Sequence, residues 1–192
     1  MNICLYGAAS DNIAKEYISL VESLGREMAK RGHGLVYGGG AGGLMGAAAR
    51  GVRKENGKVI GIAPSFFNVD GILFEDCTEF IYTETMRERK ALMELKADAF
   101  VAVPGGIGTF DELFEIMSLR QLSQHTKPIA IFNVNGYYDD IKNMLEKAVN
   151  EGFVTEKCKK IAPLFDNAEE LLCYLEKEIS KEIPEDYSRL YR

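Results

Sequence analysis

Short apolar runs alternate with longer amphipathic stretches along nearly the whole chain, and this alternation restricts the fold more than any other feature. NICLY (2–6), GLVYG (34–38), KVIGIA (58–63), EFIYT (79–83), AFVAV (99–103) and PIAIF (128–132) have the length and character of strands. Between the first two, Ile13, Tyr17, Val21, Leu24 and Met28 recur at three- and four-residue intervals, which marks a helix with one buried face. Further helices are expected over 44–56, 85–97, 109–124, 137–151 and 167–181. Strands this apolar need cover on both faces, and helical crossovers join strands that run in the same direction. The pattern predicts an α/β fold, a parallel β-sheet with helices on both faces, in a single domain over 1–182. The remainder, 183–192, is expected to be a tail, either a solvated helix end or an arm at a dimer edge.

Composition narrows the range of functions. Of 192 residues, 46% are hydrophobic and 27% charged, with no internal repeat or low-complexity run, as in ordinary globular proteins. Twenty-three basic residues against 29 acidic ones leave a net charge of −6, so no broad cationic surface exists for a nucleic acid polymer. Any nucleotide bound should be a small one. Cys4, Cys77, Cys158 and Cys173 form no Cys-x-x-Cys pair, and only His33 and His125 could assist them, so no metal site is expected. The opening MNICLYGAAS has no basic segment leading into a long apolar one, and no stretch reaches the roughly 18 apolar residues of a membrane span. A cytoplasmic protein without membrane contact is the expectation.

Two glycine clusters fall where strands should hand over to helices. GGGAGGLMG (38–46) follows the second strand and PGGIGT (104–109) the fifth. Helix amino ends carry free N–H groups and partial positive charge, and glycine lets the backbone close on an anion. Gly38, Gly40 and Gly43 satisfy G-x-G-x-x-G, but the next strand ends GIAPS, without the acid that would hold a dinucleotide's ribose. Neither loop ends in Gly-Lys-Ser/Thr, so a P-loop is excluded. A monophosphate suits these loops better than NAD or ATP, with Gly38 and Gly39 among its contacts; the competing reading is that this first cluster serves only a tight turn and close packing.

Thr109 and Glu112 admit two readings. Thr-x-x-Glu at a helix start is a capping box. The preceding Pro-Gly-Gly-x-Gly exceeds what a cap needs, and favours a site in which Glu112 acts on a bound group. Upstream, in TMRERKALM (85–93), Met86, Arg89, Lys90 and Met93 share one helical stripe while Arg87 points away from it. This places two cations beside methionines expected to be buried: either they snorkel to water, or they clamp a phosphate or carboxylate.

GGGAGGLMG, MRERK and PGGIGTFDE, in this order and spacing, resemble the LONELY GUY family of cytokinin riboside 5′-monophosphate phosphoribohydrolases, and the likeness extends to NGYYDDIKNMLEKAVNEGF (135–153). The resemblance implies a Rossmann-like fold, a homodimer, and cleavage of an adenosine-type monophosphate to free base and ribose 5-phosphate, without a cofactor. By position, Arg89 and Glu112 would be the catalytic pair. Met86, Lys90 and the segment Gly105, Gly106, Ile107, Gly108, Thr109, Phe110 and Asp111 would hold the nucleotide. Family members often carry histidine where Arg87 stands and aspartate where Thr85 stands. Ser118 replaces a frequent threonine contact, and Asp70 is the nearest candidate for an acidic substrate contact. The family's alternative label, lysine decarboxylase, finds no lysine in a pyridoxal phosphate context here. Glu112 would steady the cationic ribosyl group and orient the attacking water, Arg89 would hold the ribose or phosphate, and the glycine-loop N–H groups would bind phosphate. A broader nucleoside 5′-monophosphate nucleosidase and a non-catalytic nucleotide- or cofactor-binding module remain as alternatives. Phe110, Leu113, Phe114, Ile116, Met117, Leu119 and Leu122 surround the helix that follows, and burial against a second subunit is the expected cause.

Overall fold

The computed structural model describes residues 1–181, so the expected tail lies outside the described residues. One sheet contains β1 (Asn2–Tyr6), β2 (Gly34–Tyr37), β3 (Val59–Pro64), β4 (Glu79–Thr83), β5 (Ala99–Ala102), β6 (Ile129–Phe132) and β7 (Leu164–Phe165), every neighbouring pair parallel. The helices are α1 (Lys15–Lys30), α2 (Gly43–Lys54), α3 (Met86–Lys96), α4 (Ile107–Gln121), α5 (Asp139–Asn150), α6 (Glu156–Lys159) and α7 (Ala168–Ile179). The expected strands and helices all form, with ends shifted by a few residues. The unforeseen elements are β7, two residues long, α6, a single turn, and the 3-10 turns Ser65–Phe67 and Val134–Gly136; none is long enough for hydrophobic periodicity to mark it.

Alternation along each strand divides the core in two. Ile3 and Leu5 face α1, α2 and α7, in a cluster with Val21, Leu24, Met28, Leu171 and Leu175. Cys4 and Tyr6 face the opposite layer, with Met93, Leu113, Ile116 and Met117 of α3 and α4. Each fully buried Leu or Ile contributes about 1.5–3 kcal/mol by leaving water, which is why strands with two apolar faces end up in the middle layer.

In space the order is β4-β3-β2-β1-β5-β6-β7. The chain begins at the centre, lays β2 to β4 outward on one side, then returns to place β5 against the other side of β1. Connections leaving β1 and β5 therefore diverge, opening a crevice beyond their carboxyl ends, where ligands bind in sheets of this kind.

Candidate active site

A cleft of about 670 Å³ occupies that crevice. One wall is the loop after β1, Gly7 to Asp11; a second comes from Gly38, Gly40, Gly42 and Met45; a third from Phe67 and Gly71 to Leu73. Met86, Arg89, Gly106, Gly108, Thr109 and Glu112 complete it.

Arg89 and Glu112 meet here as a buried ion pair. Arg89 Nη1 donates to Glu112 Oε1 at 2.7 Å and Nε donates to the Ile62 carbonyl at 3.2 Å. Only 6% of Arg89 and 9% of Glu112 is exposed. The desolvation cost of such a pair roughly cancels its attraction, so it fixes geometry more than it adds stability. Burial pushes the Glu112 carboxyl above the ordinary carboxylate range, and the Arg89 charge opposes that rise. Gly38 makes the approach possible, because a Cβ there would run into the Arg89 guanidinium.

The capping-box reading of Thr109 and Glu112 is overturned. Helix α4 begins at Ile107 with Gly106 as N-cap and no capping side chain, so Glu112 lies beyond the first turn and binds arginine, not its own main chain. At the start of α3 a threonine does cap the helix: the Thr85 hydroxyl accepts the Glu88 N–H at 3.1 Å. That cap sets the entry of α3, and Arg89 then falls on the sheet-facing side. On the same stripe Met93 is fully buried, but Met86, expected to be buried as well, is 42% exposed at the mouth of the cleft.

The two glycine turns also differ. At α2 the N–H of Gly43 donates to Asp11 Oδ1 at 2.7 Å, and those of Leu44 and Met45 to the Ala8 carbonyl at 2.8 and 3.2 Å. This amino end is satisfied by the chain itself, so its expected role in holding an anion is corrected. Its glycines answer steric needs: Gly39 (φ 76°) and Gly43 (φ 58°) are left-handed, and a Cβ on Gly43 would strike the Ala8 carbonyl. At α4 the first helical bond runs from Phe110 N–H to the Gly106 carbonyl (3.0 Å), and the N–H groups of Ile107, Gly108 and Thr109 precede it. These find no acceptor among the described residues, which leaves α4 as the helix end able to take an anion.

The structure thus brings Gly38, Met86, Arg89, Gly106, Gly108, Thr109 and Glu112 to one cleft. Gly39 and Gly105 support it from behind; a Cβ on Gly105 would overlap Thr109. Lys90, Ile107, Phe110, Asp111 and Ser118 line a separate groove on the outer side of α4. There Lys90 pairs with Asp111 (3.1 Å) and Glu115 (2.5 Å), and the Ser118 hydroxyl donates to the Phe114 carbonyl of its own helix at 2.7 Å. Asp70 lines another pocket, with Cys77 and Phe80. Sequence reading missed the loop Gly7 to Asp11 and, in the segment 67–73, picked out Asp70 but not Phe67 or Gly71 to Leu73, which line the cleft. The small-residue run GAAS after the first strand was a signal for the former; the latter carries none, since it reaches the cleft only through the bridge between Leu73 and Gly40.

The sheet order and the cleft at its switch point define the class, a Rossmann-type α/β protein. Solved structures agree: the molybdenum cofactor binding protein of Rippkaea orientalis superposes with a TM-score of 0.69 at 22% identity, over 93% of this chain and 96% of that one. The Moco carrier protein of Chlamydomonas reinhardtii gives 0.71 at 20% identity, over 94% and 98%. At these identities the likeness is one of fold. Residues 45–175 match the family described as "Possible lysine decarboxylase". The chain is 40% identical over 179 residues to cytokinin riboside 5′-monophosphate phosphoribohydrolase LOG2 of Arabidopsis thaliana, covering 93% of this chain and 84% of that one. It is 38% identical over 177 residues to the LOG protein of Oryza sativa subsp. japonica, covering 92% and 73%. The chain belongs to this family, the LONELY GUY family.

Proposed function

We propose that the protein hydrolyses the N-glycosidic bond of an adenosine-type 5′-monophosphate with a modified N6, giving free base and ribose 5-phosphate. Its family relatives carry the name of that activity. The observation that carries the reading onto this chain is the Glu112 carboxylate, which faces the cleft and is oriented by Arg89 within a few residues of the open α4 amino end. Phosphate bound at Gly106 to Thr109 puts the ribose over Glu112 and directs the base toward Met45, Phe67, Ile72, Leu73 and Met86, an apolar wall suited to an isoprenoid substituent.

Chemically, the leaving base takes the electron pair of the C–N bond, and positive charge grows on the sugar. The Glu112 carboxylate stabilises that charge and orients water toward the anomeric carbon; the water's hydroxyl bonds to that carbon and its proton ends on the departing base. Arg89 keeps the carboxylate aimed, and phosphate binding energy holds the sugar in place. The decarboxylase description fits poorly, because no lysine amine lines the cleft among the described residues to form an imine with a cofactor.

We further assign a homodimer. The α4 residues Leu113, Ile116 and Met117 pack inward, whereas Ile107 is 83% and Leu122 52% exposed beside the groove lined by Phe110 and Phe114. A second copy would cover this face. Among the described residues no helix is long and apolar enough to cross a membrane, and this reading places the enzyme in the cytoplasm.

The decisive experiment offers AMP, N6-isopentenyl-AMP and N6-isopentenyladenosine separately and follows base release. Cleavage of the modified monophosphate, with the free riboside nearly inert, supports the reading. Tight binding without turnover would identify a non-catalytic module, and equal rates on AMP a broad nucleosidase.

A further inference from the structure

Three consecutive carbonyls ahead of α4 are each tied from elsewhere in the chain. Val103 C=O accepts from Tyr138 Oη at 2.8 Å, Pro104 C=O from Ala8 N–H at 3.1 Å, and Gly105 C=O from Tyr137 Oη at 2.6 Å. A peptide unit is planar, so turning the Gly105 carbonyl toward Tyr137 turns the Gly106 N–H to the opposite side. Gly106 lines the cleft, whereas Gly105 is buried behind it. Side chains do little to hold this peptide: a Cβ on Gly106 or Gly108 would meet nothing within 4 Å, and glycine accepts either hand of backbone.

Tyr137 is itself held in place. Its ring stands edge-on to Tyr17 (6.3 Å, 82°) and to Tyr138 (5.1 Å, 85°). The turn that presents it is built from left-handed Asn135 (φ 53°) and Gly136 (φ 71°). It is pinned by Asn133, whose Oδ1 accepts the Tyr138 N–H at 2.8 Å and whose Nδ2 donates to Asp139 at 2.9 Å. Tyr137 is not among the residues lining the cleft.

We propose that Tyr137 is a positioning residue: its hydroxyl locks the Gly105–Gly106 peptide in the orientation that presents the α4 amino-end N–H groups to the phosphate of the ligand. This inference rests on the proposed function, since it needs a phosphate at that loop. It explains why a tyrosine on the turn after β6 reaches across to a loop in which nothing packs against the Cα of Gly106 or Gly108 to set their geometry.

Tyr137→Phe removes the hydroxyl and leaves the ring contacts. Binding of ribose 5-phosphate and of the phosphate-free riboside to the wild type and to Tyr137→Phe is measured by calorimetry, alongside KM and kcat for N6-isopentenyl-AMP. Loss of one hydrogen bond acting through the loop predicts about fivefold weaker ribose 5-phosphate binding and a similar rise in KM for the monophosphate. The kcat stays within about twofold, and the riboside is unaffected. Equal binding of ribose 5-phosphate by both proteins overturns the inference, as does equal weakening toward monophosphate and riboside, which signals general loosening. A wild type that binds no ribose 5-phosphate defeats the proposed function instead.

Discussion

Glu112→Gln isolates the charge of the carboxylate from its shape. The amide oxygen of glutamine can still accept from Arg89 Nη1, which stands 2.7 Å from Oε1, so the side chain keeps its place. No helix cap is lost, because α4 starts at Ile107 and is capped by the backbone of Gly106. What disappears is a negative charge facing a cationic ribosyl group. Two unit charges about 4 Å apart at an effective dielectric near 20 interact by about 4 kcal/mol. With part of that charge still undeveloped in the transition state, about 3 kcal/mol is lost, or roughly a 100-fold fall in kcat. KM for the monophosphate should change little, since the phosphate is held at the α4 amino end. Base release under saturating N6-isopentenyl-AMP gives kcat, and a melting curve confirms the fold. A variant retaining kcat within about threefold of wild type would refute the reasoning, whatever its stability.

Burial raises the Glu112 pKa above its ordinary 4.5, so the acid limb of the kcat/KM profile should lie above that value and vanish in Glu112→Gln. A carboxyl that holds its proton more tightly folded than unfolded stabilises the fold below the unfolded pKa and loses that contribution as pH rises through the folded one. Wild-type stability should therefore fall relative to Glu112→Gln over that window, as denaturant melts at stepped pH would show. Gly38→Ala puts a methyl group into the Arg89 guanidinium; overpacking of about 1–3 kcal/mol and a loss of activity larger than the loss of stability are expected, measured by melting and base release together. Asp11→Ala exposes the Gly43 N–H and should cost about 1 kcal/mol of stability in a denaturant titration, as for a lost helix cap. Sedimentation at low micromolar concentration should find a dimer, and Ile107→Asp should shift it toward monomer, because the substitution places a charge on the exposed apolar face of α4.

Much of the architecture was legible in the sequence because burial leaves periodic marks. NICLY and AFVAV could only be strands covered on both faces, and the stripe from Val21 to Met28 could only be a helix with one buried side. The candidate site was legible where chemistry is written in residue type, in the glycines before α4 and the glutamate that follows them, whereas Arg89 as partner of Glu112 came from the family resemblance. It was misread where neighbours far along the chain decide the outcome. Nothing local to GGGAGGLMG says that Asp11 and Ala8 fill the α2 amino end, and nothing in TFDE shows that the helix has already begun two residues earlier.

By itself, the sequence determined a parallel α/β fold, its helical faces and the residue types available for acting on a mononucleotide, because each follows from hydrophobic period or from side-chain chemistry within a short window. Tertiary structure alone decided the strand order that sets β5 beside β1, and with it the meeting of Arg89, Glu112 and Gly38 in one cleft. It also turned Asp111 and Ser118 into a groove outside that cleft, and left Lys90 between this groove and a pocket that Glu112 lines. The physical reason is that a helix has two sides and a sheet two edges, and which of them faces a cleft depends on packing partners dozens of residues away.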